Sequence, residues 1–227
     1  VASLEAELVN QARTWTGGLT DALISVHGEA RAMEISKRYE NAFPRGYQDT
    51  FSAEDAVGDI VKVDEALGGD TLCMALYREK GAPKNSLNFK VYNPDQAVPL
   101  SDVLPMLEHM GLRVVDEHPF RIRPHNDGNR TVMIQDFGVE TKSGAPVKLE
   151  NVNQNFQDTF IRTWTGQTES DGFNALVLQA GLAWRDVVIL RAYSKYLRQA
   201  GIAFSQAYME QTLANNPKLT RLIVDLF

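Results

Sequence analysis

The sequence predicts an α+β fold built on an antiparallel four-stranded sheet, and three observations lead there. Residues 51–148 read in the order helix, two strands, helix, two strands. Each strand pair is joined by turn chemistry, Gly81-Ala82-Pro83-Lys84-Asn85 in the first and Pro124-His125-Asn126-Asp127-Gly128-Asn129 in the second, where the Asp-Gly step favours a hairpin. Everything after Leu149 has helical periodicity. A ferredoxin-like domain runs βαββαβ, and moving its first strand to the end gives αββαββ without breaking a strand pairing. The expected sheet order is therefore 112–123, 130–140, 86–92, 71–78, with both helices on one face.

In the first segment Leu4, Leu8, Trp15, Leu19, Ala22, Leu23 and Val26 fall within about a 100° arc of a helix. Gly17-Gly18 interrupt it at about 1 kcal/mol each, which predicts a kink or a need for packing support. A second helix spans 29–39 and breaks at Phe43-Pro44-Arg45-Gly46. Ser52 and Asp55 form an approximate capping box that opens a helix toward Leu67, closed by Gly68-Gly69. Strands follow at 72–78 and 87–92. The second places Leu87, Phe89 and Val91 on one face and Asn88, Lys90 and Tyr92 on the other. Ser101 and Asp102 start a helix through Leu104, Leu107 and Met110, which stops at Gly111 in an expected left-handed cap. Strands return at 112–123 and 130–140.

Beyond residue 149, Val152, Phe156, Thr159, Phe160, Thr163 and Trp164 form one stripe, closed by Thr165-Gly166. The clearest helix spans 184–200, where Ile189, Leu190, Tyr193, Tyr196 and Leu197 make an apolar stripe expected to pack inside, with some aromatics left exposed if neighbouring segments are missing. Two further helices are expected at 205–215 and 217–227, with Pro217 suited to a first turn. The predicted organisation is an N-terminal helical segment at 1–50, the α+β domain at 51–148 and a helical segment at 149–227.

The 227 residues are 44% hydrophobic, enough to bury a sizeable core. The formal net charge of -6 gives no global field for phosphate backbones or anionic lipid, so neither nucleic acid nor membrane is an expected partner. The longest apolar runs fall far short of the roughly 20 residues that span a bilayer. One cysteine, Cys73, permits no internal disulfide, which fits a reducing compartment and makes the cytoplasm the expected location. The chain opens on Val1 and ends at Phe227 inside an apolar run, as expected of a segment cut from a longer protein.

Catalytic motifs are absent. There is no G-x-G-x-x-G, phosphate loop, H-E-x-x-H or G-x-S-x-G, so no catalytic or cofactor-binding residue is assigned. His27, His109, His118 and His125 lack the paired spacing of metal ligands, so no metal site is assigned either. His118 beside Asp116 and Glu117 could share a proton, but next to Pro119 these read as solvated strand residues. Cys73 reads as a buried strand thiol. Arg191, Lys195 and Arg198 line one face of the 184–200 helix, a speculative contact for an acidic partner or anion on what is otherwise a solvated face. A second function class, a sheet that binds RNA by stacking, would use Phe89 and Tyr92.

Three stretches carry a family resemblance. They are Asp171-Gly172-Phe173-Asn174-Ala175-Leu176-Val177-Leu178-Gln179-Ala180-Gly181-Leu182-Ala183-Trp184-Arg185-Asp186, Leu190-Arg191-Ala192-Tyr193-Ser194-Lys195-Tyr196-Leu197-Arg198-Gln199 and Phe204-Ser205-Gln206-Ala207-Tyr208. Together with Tyr39-Glu40-Asn41-Ala42-Phe43-Pro44, Pro99-Leu100-Ser101-Asp102-Val103-Leu104-Pro105-Met106-Leu107-Glu108 and Gly111-Leu112-Arg113-Val114, they resemble the large bacterial NAD-specific glutamate dehydrogenases. The resemblance implies an ACT-like regulatory module plus a helical region ahead of a catalytic core, in a homo-oligomeric parent that uses NAD. It further implies that the partners are other domains and subunits of that parent, with an amino-acid effector as a second expectation. No position of the family's nicotinamide-binding or catalytic motifs falls within these residues, so none is carried over.

Overall fold

A computed structural model describes residues 15–125 and 128–226. Leu4 and Leu8 of the first stripe, Asp127 of the expected hairpin turn and Phe227 lie outside the described residues. The elements, in order, are α1 (Trp15–His27), α2 (Glu29–Tyr39), α3 (Arg45–Thr50), α4 (Ala53–Gly69), β1 (Cys73–Tyr77), β2 (Ser86–Pro94), α5 (Leu100–His109), β3 (Leu112–Ile122), β4 (Val132–Thr141), α6 (Leu149–Trp164), α7 (Leu176–Gln179), α8 (Trp184–Gln199), α9 (Gln206–Asn215) and α10 (Pro217–Val224). A 3₁₀ turn at Gly172–Ala175 precedes α7.

The four strands form one antiparallel sheet in the order β1-β2-β4-β3, as the permuted reading requires. The Asp95 N–H donates to the Thr131 carbonyl at 2.8 Å and the Thr141 N–H to that of Asn85 at 3.0 Å, which fixes the β2–β4 register and sets Lys90 opposite Asp136. Two compact units partition the chain, one made of Val1–Cys73, Val91–Ala97 and His118–Gln135, the other of Met74–Lys90, Val98–Glu117 and Asp136–Phe227.

In the first unit α1 continues through Gly17-Gly18 instead of breaking there. A Cβ on Gly18 would lie 3.3 Å from the Ala53 Cβ, so the missing side chain lets α1 lie close to α4, and this packing offsets the glycine cost. Pro44, read as a breaker, caps the short α3, which the sequence did not signal. The Ser52 capping box forms in both directions: Ser52 Oγ accepts the Asp55 N–H, and the Asp55 carboxylate accepts the Ser52 N–H. The Asp59 carboxylate of α4, itself buried, accepts the Tyr47 hydroxyl at 2.6 Å and the Tyr92 hydroxyl at 2.7 Å. Cys73 lies buried in the same unit, where burial and then the charge of Glu65 push its thiol up to about 11.

In the second unit Phe89 packs on Phe156 and Phe160 of α6 at ring separations of 5.4 and 4.8 Å. Lys90 and Asp136 are both buried. The Tyr77 hydroxyl donates to Asp136 Oδ2 at 2.8 Å, and the Lys90 ammonium sits 5.1 Å from the Tyr77 ring centroid. Gly111 ends α5 at φ 82°, the left-handed cap the sequence expects.

Two outcomes test this packing. Asp59→Ala strands two buried tyrosine hydroxyls and should lower urea-derived stability by about 2–4 kcal/mol, whereas Tyr92→Phe, which keeps the ring, should cost about 1 kcal/mol. A raised thiol is neutral below its folded pKa, so native Cys73 should react with a disulfide reagent at about pH 8 far more slowly than the unfolded chain does.

Candidate functional site

Helix α8 places its side chains against the expectation from its amphipathic pattern. Its buried positions are Val187, Leu190, Arg191 and Ser194, spaced i, i+3, i+4 and i+7. Of the expected apolar stripe only Leu190 is buried; Ile189, Tyr193, Tyr196 and Leu197 are exposed, Tyr196 at 65%. At 100° per residue the buried face is rotated roughly a third of a turn from the apolar stripe.

Arg191 explains the rotation. It is 4% exposed, and its Nε and Nη2 donate to the two Asp171 carboxylate oxygens at 2.7 and 2.9 Å, a bidentate pair. Nη2 also donates to Asn174 Oδ1 at 2.7 Å and to the Glu169 carbonyl at 3.3 Å, and Nη1 to Thr168 Oγ1 at 3.3 Å. These acceptors sit on the segment that enters the 3₁₀ turn, where Asp171 also accepts the Phe173 N–H. Gln206 of α9 donates both to Asp171 at 3.2 Å and to Glu210 at 2.8 Å. Gly172 lets that segment approach α9, since a Cβ there would lie 2.5 Å from Glu210 Oε2.

The three cations of the expected contact face therefore separate. Arg191 is withdrawn from solvent by the geometry above, a correction to its reading as part of a solvated face. Lys195 pairs with Glu169 at 2.5 Å on the surface, and Arg198 is exposed. A cavity of about 400 Å³ beside them is lined by Thr168, Glu169, Val188, Arg191 and Lys195 among others. Asp171, Asn174 and Gln206 were not singled out from the sequence. The available signal was the pair of acids in Thr168-Glu169-Ser170-Asp171-Gly172, which needed a cation from elsewhere.

Further exposed apolar side chains lie on the same helical segment. Phe204 and Tyr208 stack at 5.0 Å, both half exposed, and Leu219 and Leu222 of α10 stand out, Leu222 at 62%. The proposed RNA platform fails on geometry: Phe89 is 0% and Tyr92 1% exposed, so neither presents a face to a base. Asp116 accepts the Gly138 N–H at 3.2 Å, while His118 is exposed on β3. Among the described residues no group of three or more His, Cys, Asp or Glu could hold a metal, and no helix is long and apolar enough to cross a membrane. Among the described residues the strand-to-helix connections β2–α5 and β4–α6 lack the glycine-rich phosphate turn of a dinucleotide-binding fold.

The segment holding Arg191 and its partners coincides with a family match. Residues 168–227 match the family model "Glutamate dehydrogenase, helical motif 3", residues 71–152 match "Glutamate dehydrogenase, ACT3 domain" and residues 22–66 match "Glutamate dehydrogenase, helical motif 2". Over most of its length the chain is similar to parts of glutamate dehydrogenases. It is 37% identical over 227 residues to the NAD-specific glutamate dehydrogenase of Halomonas elongata, 35% over 226 to that of Pseudomonas aeruginosa and 36% over 232 to that of Mycobacterium tuberculosis. These matches take in 99–100% of the chain but only 14% of each relative. The sheet with its flanking helices is the ACT-like fold that the resemblance implied. Within helical motif 3, Arg191→Met should cost about 3–5 kcal/mol in chemical denaturation because it leaves the half-buried Asp171 carboxylate uncompensated, while Lys195→Ala should change stability by less than about 0.5 kcal/mol.

Proposed function

We propose that the chain is a non-catalytic regulatory and assembly segment of an NAD-specific glutamate dehydrogenase. The parent reaction is oxidation of glutamate by NAD with water to 2-oxoglutarate, ammonia and NADH, carried out in the cytoplasm by a homo-oligomer whose catalytic residues lie outside this segment. In this reading 1–50 is an N-terminal helical segment, 51–148 the ACT-like module and 149–227 the helical connection to other domains. The observation that carries it is α8, which spends its inward face on Arg191 and leaves Tyr193, Tyr196 and Leu197 in water. Burying one such side chain against another domain contributes on the order of 1.5–3 kcal/mol, so the stripe is worth covering. The match of the whole chain to a seventh or so of each dehydrogenase supports the same reading.

Amino-acid sensing is a second role of this segment, supported by the ACT-like fold. Arg198 and Lys195 border the contact surface in this proposal; Arg191 acts from beneath it.

The isolated chain should form no NADH from glutamate and NAD, and any glutamate-dependent NADH would overturn the non-catalytic assignment. In the parent enzyme, Tyr196→Glu combined with Leu222→Glu should weaken subunit assembly in sedimentation while leaving the segment folded; unchanged assembly would remove the stripe from the interface. Calorimetric titration of the chain with a panel of amino acids should give saturable heat for at least one, and silence across the panel would leave assembly as its role.

A further inference from the structure

The first compact unit carries a cationic groove that neither the family match nor the proposed role accounts for. Two adjoining cavities, about 510 and 780 Å³, share the walls Asn41, Arg121 and Arg123. Both fall in the 300–1,000 Å³ range typical of small-molecule sites. Arg121, Arg123 and His125 occupy alternate positions at the end of β3, all exposed. That end is pinned to the turn after α2, since the Arg123 N–H donates to the Ala42 carbonyl at 3.1 Å and the His125 N–H to that of Arg38 at 2.8 Å. Recognition at these two positions therefore falls to side chains, because their backbone donors are already used.

Among the described residues that charge meets no carboxylate at Arg121 or Arg123, although the chain as a whole is acidic. Arg130, which also lines the larger cavity, is neutralised by Asp70 and Asp95. Arg121 donates through Nε to Met133 Sδ at 3.3 Å, which steadies its guanidinium without discharging it. Among the described residues neither Arg121 nor Arg123 has a carboxylate partner. The smaller cavity adds an apolar wall of Pro44, Pro119 and Phe120, and Phe120 is held edge-on against Tyr47 and Phe51 at 5.4 and 5.7 Å.

We propose that Arg121 and Arg123, with the Asn41 amide, bind a small dianion that bears two oxyanion groups. Each planar guanidinium presents a fork of donors to a phosphate or carboxylate, and the second charge is what two unpaired arginines recognise over a monoanion. The site stands independently of the dehydrogenase reading.

Titration calorimetry of the 227-residue chain with inorganic pyrophosphate, and separately with succinate, distinguishes a phosphate from a carboxylate source of the two oxyanion groups. Saturable 1:1 binding of pyrophosphate alone assigns a phosphate ligand, of succinate alone a dicarboxylate, and of both a general site for paired oxyanions. Arg123→Ala should weaken the binding roughly tenfold to a hundredfold, the loss expected for a charged hydrogen bond. Arg123→Lys, which keeps the charge without the fork, should fall between, and Arg31→Ala, whose side chain pairs with Glu34 elsewhere, should leave it unchanged. No heat with either probe would overturn the proposal, as would binding that survives Arg121→Ala and Arg123→Ala together in a chain with an unaltered melting transition.

Discussion

A guanidinium taken out of water keeps its charge and its five donors, so the fold around it must supply a carboxylate and further acceptors at fixed positions. In the helical segment that requirement falls on Arg191. Asp171 takes two of its N–H groups, and Asn174, Thr168 and the Glu169 carbonyl take more. Because these acceptors all come from a short stretch before the 3₁₀ turn, satisfying one side chain fixes the turn, its distance from α9 through Gly172, and the rotation of α8 about its own axis.

That rotation decides what α8 shows to solvent. Turning Arg191 inward turns the aromatic side of α8 outward, so the helix carries an apolar stripe that its own segment does not cover. Phe204, Tyr208, Leu219 and Leu222 extend the same character through the two helices that follow. The chain matches 14% of each relative, and the exposed stripe lies within the residues that match helical motif 3.

The sheet is governed by a different constraint. β2 is an inner strand in which Phe89 is buried against the α6 aromatics and Tyr92 is buried against Asp59. Buried polar groups on such a strand call for partners: Tyr92 has a carboxylate acceptor, and Tyr77, Lys90 and Asp136 gather across neighbouring strands. The same burial removes Phe89 and Tyr92 from any role in stacking a base.

The sequence by itself determined the order of strands and helices in the α+β domain and the order of strands in its sheet, because turn residues, alternation and capping are local and leave local marks. The Ser52–Asp55 box and the Gly111 cap formed where the sequence put them. Tertiary structure alone decided which side of α8 is inside. A periodic pattern measures hydrophobicity around a helix, and it is blind to an aspartate twenty residues upstream whose carboxylate outweighs the stripe. Gly17-Gly18 illustrates the same limit, since an intrinsic helix penalty was offset by the close approach to Ala53 that only the packed chain contains. The groove at Arg121 and Arg123 was likewise invisible beforehand, because it depends on a strand end being held against the turn after α2.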